Sequence, residues 1–235
     1  MPIAAVSFVS CCMRFIQCVL AEWVLVTPRF TRTRLGISLL GLAATLVWLG
    51  SRGLDPVTVG LLAGSLGATL GAAGVAGSDN ERRALATALS HPTTPLAIAT
   101  GRWVALTGPA ALLVIVCSAA VDWRPGIVAA GVAAAGAVGS CALTFVIPLG
   151  NASALGLFLL MALAGAVAPE RLVAMADPGF LRVATASALE LGPALWHYRE
   201  IVTGDWRALA HALAWTGLGV LVASRFIARR RSSIG

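Results

Sequence analysis

The chain has 235 residues, of which 58% are hydrophobic and 11% are charged, and its formal net charge is +7. A mean hydropathy of +0.88 excludes an ordinary soluble domain, because such a chain has too little polar surface to cover its apolar residues. All seventeen basic residues are arginine. Their clusters lie beside apolar runs, which indicates membrane anchoring rather than nucleic-acid binding.

Residues 1–34 are predicted to form an amphipathic N-terminus that lies along the membrane surface. Apolar residues recur at helical spacing from Phe15 to Val24, and Arg14, Gln17 and Glu22 supply polar positions. An interfacial helix is the preferred interpretation. An additional membrane span within residues 1–26 is the alternative.

Residues 35–228 are predicted to form a transmembrane domain with six spans. Each apolar run is close to the 17 to 25 residues needed to cross about 30 Å of hydrocarbon. The runs are Leu35–Gly50, Val57–Gly77, Trp103–Val121, Gly126–Leu149, Ala152–Ala168 and Ala208–Ser224. An outer segment, 169–207, is predicted to re-enter or lie on the membrane, and 229–235 form a basic tail. The predicted fold class is therefore all-α and polytopic.

The distribution of charge predicts the orientation of this domain. With a cytoplasmic N-terminus, the inner segments hold eleven arginines and three acidic residues, a balance of +8. The outer segments then hold six arginines and seven acidic residues, a balance of −1. Because basic residues favour the cytoplasmic side, both termini and 78–102 are predicted to be cytoplasmic, in a bacterial inner membrane.

The second apolar run carries a face of glycines spaced by three and four residues. Such a face allows another helix backbone to approach closely, which replaces the hydrophobic driving force that is missing in lipid. We therefore predict a packing face, with a dimer interface between two copies as the functional interpretation. Its members are Gly60, Gly64, Gly67, Gly71 and Gly74.

The polar hinge 78–102 separates the second and third apolar runs. Ser78 and Glu81 form a capping-box pattern that starts a helix. Pro92 ends that helix, since proline lacks an amide proton and restricts the residue before it. Thr94 followed by Pro95 has the pattern of an N-cap with proline at the first helical position, so a new helix is predicted to begin there.

Residues that perform chemistry are scarce in the predicted spans. These spans contain no Asp, Glu, Arg or Lys, and one histidine, His211. Ion-coupled transport and intramembrane proteolysis are therefore disfavoured. His211 is predicted to be an interface histidine, with a substrate or proton contact as the alternative. The five cysteines lack zinc-ligand spacing, so we predict no metal site and no catalytic site.

The hinge resembles the cytoplasmic loop after the second span in permeases of type-2 ATP-binding-cassette exporters. In that family, charged residues precede a leucine motif, two residues, a proline and later Gly-Lys. Leu85 and Leu89 match the leucines and Pro92 matches the proline. Arg83 and Ala86 depart from the glycine and glutamate of the family.

Two further features strengthen the resemblance. Gly101-Arg102 occupies the place of the Gly-Lys pair. The runs Leu191–Pro193, Trp196–Arg199 and Gly204-Asp205 resemble the Leu-Asn-Pro, Arg and Gly pattern that precedes the last span in the family. The six spans, amphipathic N-terminus and basic tail also agree with it.

The resemblance implies that the hinge contains a short coupling helix seated on a soluble ATPase subunit. The residues assigned to this contact are Asp79, Glu81, Arg82, Arg83, Leu85, Leu89 and Pro92. Since the chain has no Gly-x-x-x-x-Gly-Lys-Ser/Thr loop, ATP and Mg²⁺ are expected in the partner, and this chain is not expected to be an enzyme or to hold a cofactor.

Three functional interpretations follow from the sequence. The first is the permease subunit of an ATP-driven exporter, which pairs with a second copy or a similar permease and contacts membrane lipids but no nucleic acid. The second is a haem-exporter permease of cytochrome c maturation, which has a similar size and span number. The third is a non-transporting membrane scaffold or assembly factor. The identity of a transported substrate does not follow from the sequence.

Overall fold

The computed structural model describes residues 13, 15–21, 23–24, 34–76, 94–149, 156, 158–159, 161–162 and 192–232. Within these residues the regular structure is helical and contains no strand, which confirms the all-α prediction for this part of the chain. Three of the helices, Pro95–Val121, Pro125–Phe145 and Trp206–Arg230, are long and apolar enough to cross a membrane. Shorter apolar helices occupy Leu35–Ser51 and Pro56–Ala72.

The helices follow one another in an up-and-down order. We number them α1 (Arg34–Ser51), α2 (Pro56–Ala76), α3 (Pro95–Val121), α4 (Pro125–Leu149), α5 (Leu195–Tyr198) and α6 (Trp206–Ser232). A 3₁₀ helix, Arg199–Thr203, connects α5 to α6. The described residues of five predicted apolar runs all lie within α1, α2, α3, α4 and α6. Of the remaining run, 152–168, five residues are described, and all five are helical.

Proline begins three of the long helices. Pro56, Pro95 and Pro125 are the first residues of α2, α3 and α4. At this position the missing amide proton costs nothing and the fixed backbone angle suits a helix. Before Pro95, the Thr94 hydroxyl accepts a hydrogen bond from the amide of Ala97 at 3.3 Å, so the predicted N-cap is confirmed.

Helix α3 begins eight residues before the predicted start of the third span at Trp103. Arg102 therefore lies inside α3, and only 6% of its surface is exposed. The predicted span covers only the apolar run after Arg102, whereas the helix begins at its predicted capped start upstream. Trp103, the first residue of the predicted third span, packs on the core, and its indole Nε1 donates to the Gly136 carbonyl at 3.3 Å.

Helix α4 is the centre of the bundle, and it packs against α2, α3 and α6. Much of its contact surface is formed by small residues. A Cβ atom added at Gly131 would lie 2.7 Å from the Gly60 carbonyl oxygen, and one at Gly219 of α6 would lie 2.4 Å from the Ser140 carbonyl oxygen. The backbones of α4 and its neighbours are therefore in direct contact, as small residues allow in membrane bundles.

The glycine face of α2 packs within the chain. Gly60 and Gly64 face α4, while Gly67 and Gly71 face Ala110 and Leu106 of α3. The side-chain environment of Gly74 lies outside the described part. Because α3 and α4 cover this face, a second copy of the chain would have to approach another surface.

The bundle has two ends that differ in their loops. At one end, which we call the Asp55 end, α1 and α3 finish and α2, α4 and α6 begin. Three tryptophans at this end, Trp48, Trp123 and Trp206, are more than half exposed, as expected for side chains at a membrane interface. At the opposite end, the Pro95 end, α3 begins and α6 finishes with its arginines.

We predict that Gly64→Ala destabilises the bundle, because the new Cβ would lie 2.1 Å from the Gly131 carbonyl oxygen. Overpacking of this kind costs about 1 to 3 kcal/mol, which corresponds to a fall in melting temperature of about 2 to 12 °C for a chain of this size. The measurement is thermal unfolding of purified protein in detergent.

Gly217→Ala in α6 is the matched control, since a Cβ there would meet nothing within 4 Å. Alanine is also the better helix former, so this variant should be as stable as the parent or more stable. Equal melting temperatures for Gly64→Ala and Gly217→Ala would contradict the proposed backbone contact.

Candidate functional site

The densest group of polar contacts in the described residues belongs to a segment that we call the cap, residues 192–205. The cap contains α5 and the 3₁₀ helix and lies on the Asp55 end of the bundle, where it contacts α2, α4 and α6. It ends at Gly204, whose φ of 90° lies in the left-handed region that favours glycine. After this turn, the Asp205 carboxylate accepts a hydrogen bond from the Arg207 amide at 2.8 Å and caps α6.

Tyr198 anchors the cap in the bundle. Its side chain is fully buried in a cluster with Leu61 of α2 and Ala212 of α6, and the cluster also includes three alanines of α4, Ala130, Ala134 and Ala137. Its hydroxyl shares a hydrogen bond of 3.1 Å with Nδ1 of His211. Alanines of α4 and α6, together with Leu61 of α2, thus form a socket for one aromatic ring.

A glycine contact seats the 3₁₀ helix on α4. A Cβ atom at Gly126 would lie 3.2 Å from the Cα atom of Val202, so a larger residue at the start of α4 would push the cap away. The burial of Tyr198 and the close approach of Val202 to Gly126 therefore hold the apolar side of the cap on the bundle by complementary packing.

An ion pair holds the cap on the polar side. Arg199 donates through Nη2 to Oδ2 of Asp55, the residue directly before α2. The same carboxylate accepts hydrogen bonds from the Thr58 amide at 3.2 Å and the Thr58 hydroxyl at 3.0 Å. Burial alone would raise the pKa of Asp55, but the Thr58 hydrogen bonds and the Arg199 charge outweigh it and lower that pKa.

A second polar group lies on the cap itself. Nδ1 of His197 is 2.7 Å from Oε2 of Glu200. Ligand-type atoms of His197, Glu200 and Asp205 all lie within 4.8 Å of one another. Cysteine and histidine spacing in the sequence does not reveal this group, because two of its three members are carboxylates. Its sequence signal is a histidine, a glutamate three residues later, and an aspartate directly after a glycine.

The structure places the remaining sequence-predicted site residues as follows. All seven residues assigned to ATPase contact, Asp79 to Pro92, lie outside the described residues. Gly101 and Arg102 are both buried about two turns into α3. His211, predicted as an interface histidine, contacts the cap through Tyr198. The cap residues that the resemblance singled out, from Gly192 to Asp205, form one continuous structure.

Comparisons with known proteins add no relative. No protein-family model matches the chain, and neither a curated protein nor a solved structure is similar to it. The functional argument therefore depends on the residues and contacts described above.

We predict that Asp55→Asn loosens the cap. Asparagine retains an oxygen that can accept the hydrogen bonds of Thr58 at the start of α2. The variant therefore removes the charge and keeps this N-terminal capping interaction. An exposed ion pair is worth about 0.2 to 1 kcal/mol, so a thiol at buried position 194 (Ala194→Cys) should react with a maleimide about two- to fivefold faster. Asp122→Asn is the control, because Asp122 pairs with Arg124, at 2.9 Å, and not with the cap.

The same contact predicts a pH dependence of cap closure. The folded pKa of Asp55 is lowered, so its contribution to closure is present above the ordinary carboxyl pKa, near pH 4. That contribution is lost as the pH falls through the lowered value. Labelling of the thiol at position 194 by an acid-tolerant pyridyl disulfide, measured relative to a free thiol, should therefore accelerate below about pH 4 in the parent, and less so in Asp55→Asn. A pH response that is identical in both proteins would contradict this prediction.

Proposed function

We propose that the chain is the transmembrane permease subunit of an ATP-driven exporter, forms the translocation path and couples to a separate ATPase subunit. Its support is the hinge resemblance together with a bundle of apolar helices. The proposal includes six spans, a cytoplasmic hinge and cytoplasmic termini, in a bacterial inner membrane. Membrane lipids and a second permease copy are its other expected partners.

The continuity of the hinge with α3 is the observation that favours coupling most. The hinge 78–102 does not end in a loop, because its residues from Pro95 to Arg102 form the first two turns of α3. Helix α3 then continues without a break to Val121, a length of about 40 Å at 1.5 Å per residue. A push on the hinge would therefore move a helix that reaches the Asp55 end of the bundle.

The contacts of α3 determine which helices would move with it. Helix α3 packs against α1, α2, α4 and α6. Its Leu106 carbonyl oxygen would lie 2.9 Å from a Cβ at Gly71, and its Thr107 lies against Gly139 of α4. Because these contacts involve backbone atoms and short side chains, they leave little room for sliding. Displacement of α3 would therefore be shared with its neighbours.

The position of Trp23 bears on the fold of the N-terminus. Nε1 of Trp23 lies 3.7 Å from the Cβ position of Gly108, and Gly108 is about 20 Å along α3 from Pro95. An interfacial helix at the Pro95 end would contact only the first turns of α3. This contact is the one observation that supports the alternative of an additional span within residues 1–26, which would make seven spans and place the N-terminus on the outer side.

The hinge itself provides the deciding test. We predict that Leu85→Asp with Leu89→Asp abolishes binding of a soluble ATPase while the protein still inserts in the membrane. A carboxylate buried in an apolar socket without a partner costs several kcal/mol, on the order of 3 to 5, whereas a carboxylate on a solvated connector costs almost nothing. The measurement is mass spectrometry of proteins that co-purify from gently solubilised native membranes.

Thr87→Asp is the matched control, because position 87 lies on the opposite side of a helix that presents 85 and 89. An ATPase with Walker motifs should co-purify with the parent and with Thr87→Asp. Absence of any ATPase would favour the scaffold interpretation, and equal capture by the double variant would remove the coupling role of the two leucines.

A further inference from the structure

We propose that the cap carries a binding site for a divalent transition-metal ion, with Zn²⁺ as the best-suited ion, formed by His197, Glu200 and Asp205. The ligand atoms are one imidazole nitrogen and one oxygen from each carboxylate, and they lie within 4.8 Å of one another. Imidazole together with carboxylate suits zinc, whereas Mg²⁺ and Ca²⁺ prefer oxygen ligands alone. This inference does not depend on the proposed transport function.

The local fold explains why the three side chains converge. His197 and Glu200 are three residues apart across the junction of α5 and the 3₁₀ helix, so they lie on one side of the turn. The left-handed Gly204 then reverses the chain, and the Asp205 amide donates to the Glu200 carbonyl oxygen at 3.0 Å. This backbone hydrogen bond holds Asp205 beside Glu200, so their proximity does not depend on side-chain rotamers alone.

The charges around the site favour a cation. Glu200 and Asp205 bring two negative charges to one place, and like charges at this distance repel unless a positive group lies between them. The two arginines that flank the group in sequence make contacts elsewhere: Arg199 pairs with Asp55, and Arg207 lies over the Trp206 ring at 6.0 Å.

Ligand capacity and access also agree with a metal. One oxygen of Asp205 caps α6 through the Arg207 amide, but a carboxylate offers about four acceptor positions, so capping does not prevent coordination. The side chains of His197 and Glu200 are 23% and 51% exposed, which leaves a path from solvent and space for a water ligand. Zinc distances of about 2.0 to 2.2 Å require the ligands to close by roughly 1 Å.

Metal binding at this place would stiffen the cap. Arg199 and Val202 lie between the ligands in sequence. They are the two residues that contact Asp55 and Gly126 at the starts of α2 and α4. An ion that joins His197 to Asp205 would hold the turn between them in its bound shape. Bound zinc should therefore strengthen the contact of the cap with the bundle.

The test is isothermal titration calorimetry, in which ZnCl₂ is added to the purified full-length protein in detergent after bound metal has been removed with a chelator. The protein carries a tag without histidines, and Cys11, Cys12 and Cys18 are replaced by serine so that they do not bind zinc. We expect one zinc per chain with a Kd of about 10 µM or tighter. His197→Ala, Glu200→Gln and Asp205→Asn should each weaken binding at least about tenfold, the effect of losing one of three ligands.

Asp122→Asn and His91→Gln are the controls, and neither should change the zinc affinity. A second readout is the melting temperature in detergent: zinc should raise it in the parent and in both controls, EDTA should reverse the shift, and the three ligand variants should show none. Size-exclusion profiles establish that the variants are folded. Zinc binding weaker than about 1 mM, or affinity unchanged in all three ligand variants, would overturn the proposal.

Discussion

The direct backbone contact between α2 and α4 is the constraint on which the rest of the described structure depends. Gly60 and Gly64 of α2 and Gly131 of α4 leave no space for a Cβ atom on either side. In lipid, where burial of apolar side chains drives little association, such close van der Waals contact supplies the packing energy. The contact also fixes the start of α2, at Pro56, relative to the start of α4, at Pro125, along the axis of the bundle. Asp55 and Gly126 are thereby held at the spacing that the cap requires.

The cap joins the bundle by three contacts of different strength. The Tyr198 ring is fully buried among α2, α4 and α6, and its hydroxyl shares a hydrogen bond with His211, so this contact is the most extensive of the three. The contact of Val202 with Gly126 restricts the position of the cap but buries little surface area. The Asp55–Arg199 pair is half exposed and contributes at most about 1 kcal/mol. Tyr198 is therefore the anchor and the ion pair is the weaker latch.

The sequence predicts the helices well and their long-range contacts poorly. Apolar length identifies the runs, and the Thr94-Pro95 pattern gives the start of α3, because both signals are local. Hydropathy alone would start α3 at Trp103, since Arg102 interrupts the apolar run although it lies buried inside the helix; the capping pattern at Thr94 supplies the correct start. The latch joins residues 144 positions apart, and no local pattern relates them. The His197, Glu200 and Asp205 group depends on the backbone turn at Gly204, which residue spacing alone does not reveal. Spacing identifies the glycine face of α2, but which helices cover it follows only from the folded chain.

These strengths indicate how a force applied at the hinge would be distributed if the hinge couples to an ATPase. Helices α2, α3 and α4 meet through glycines and backbone atoms, so their relative sliding would create atomic overlap and is costly. They are therefore expected to move as one block. The cap packs on α2 and α4 of that block, but Tyr198 also bonds to His211 of α6. Helix α6 belongs to the same block, because its Gly219 lies against the Ser140 carbonyl of α4. The cap therefore rests on one rigid unit, and its first contact to yield is the one of lowest energy, the pair between Asp55 and Arg199. A metal ion held by the residues on either side of Arg199 would oppose that step, because it would make the turn that presents the arginine more rigid.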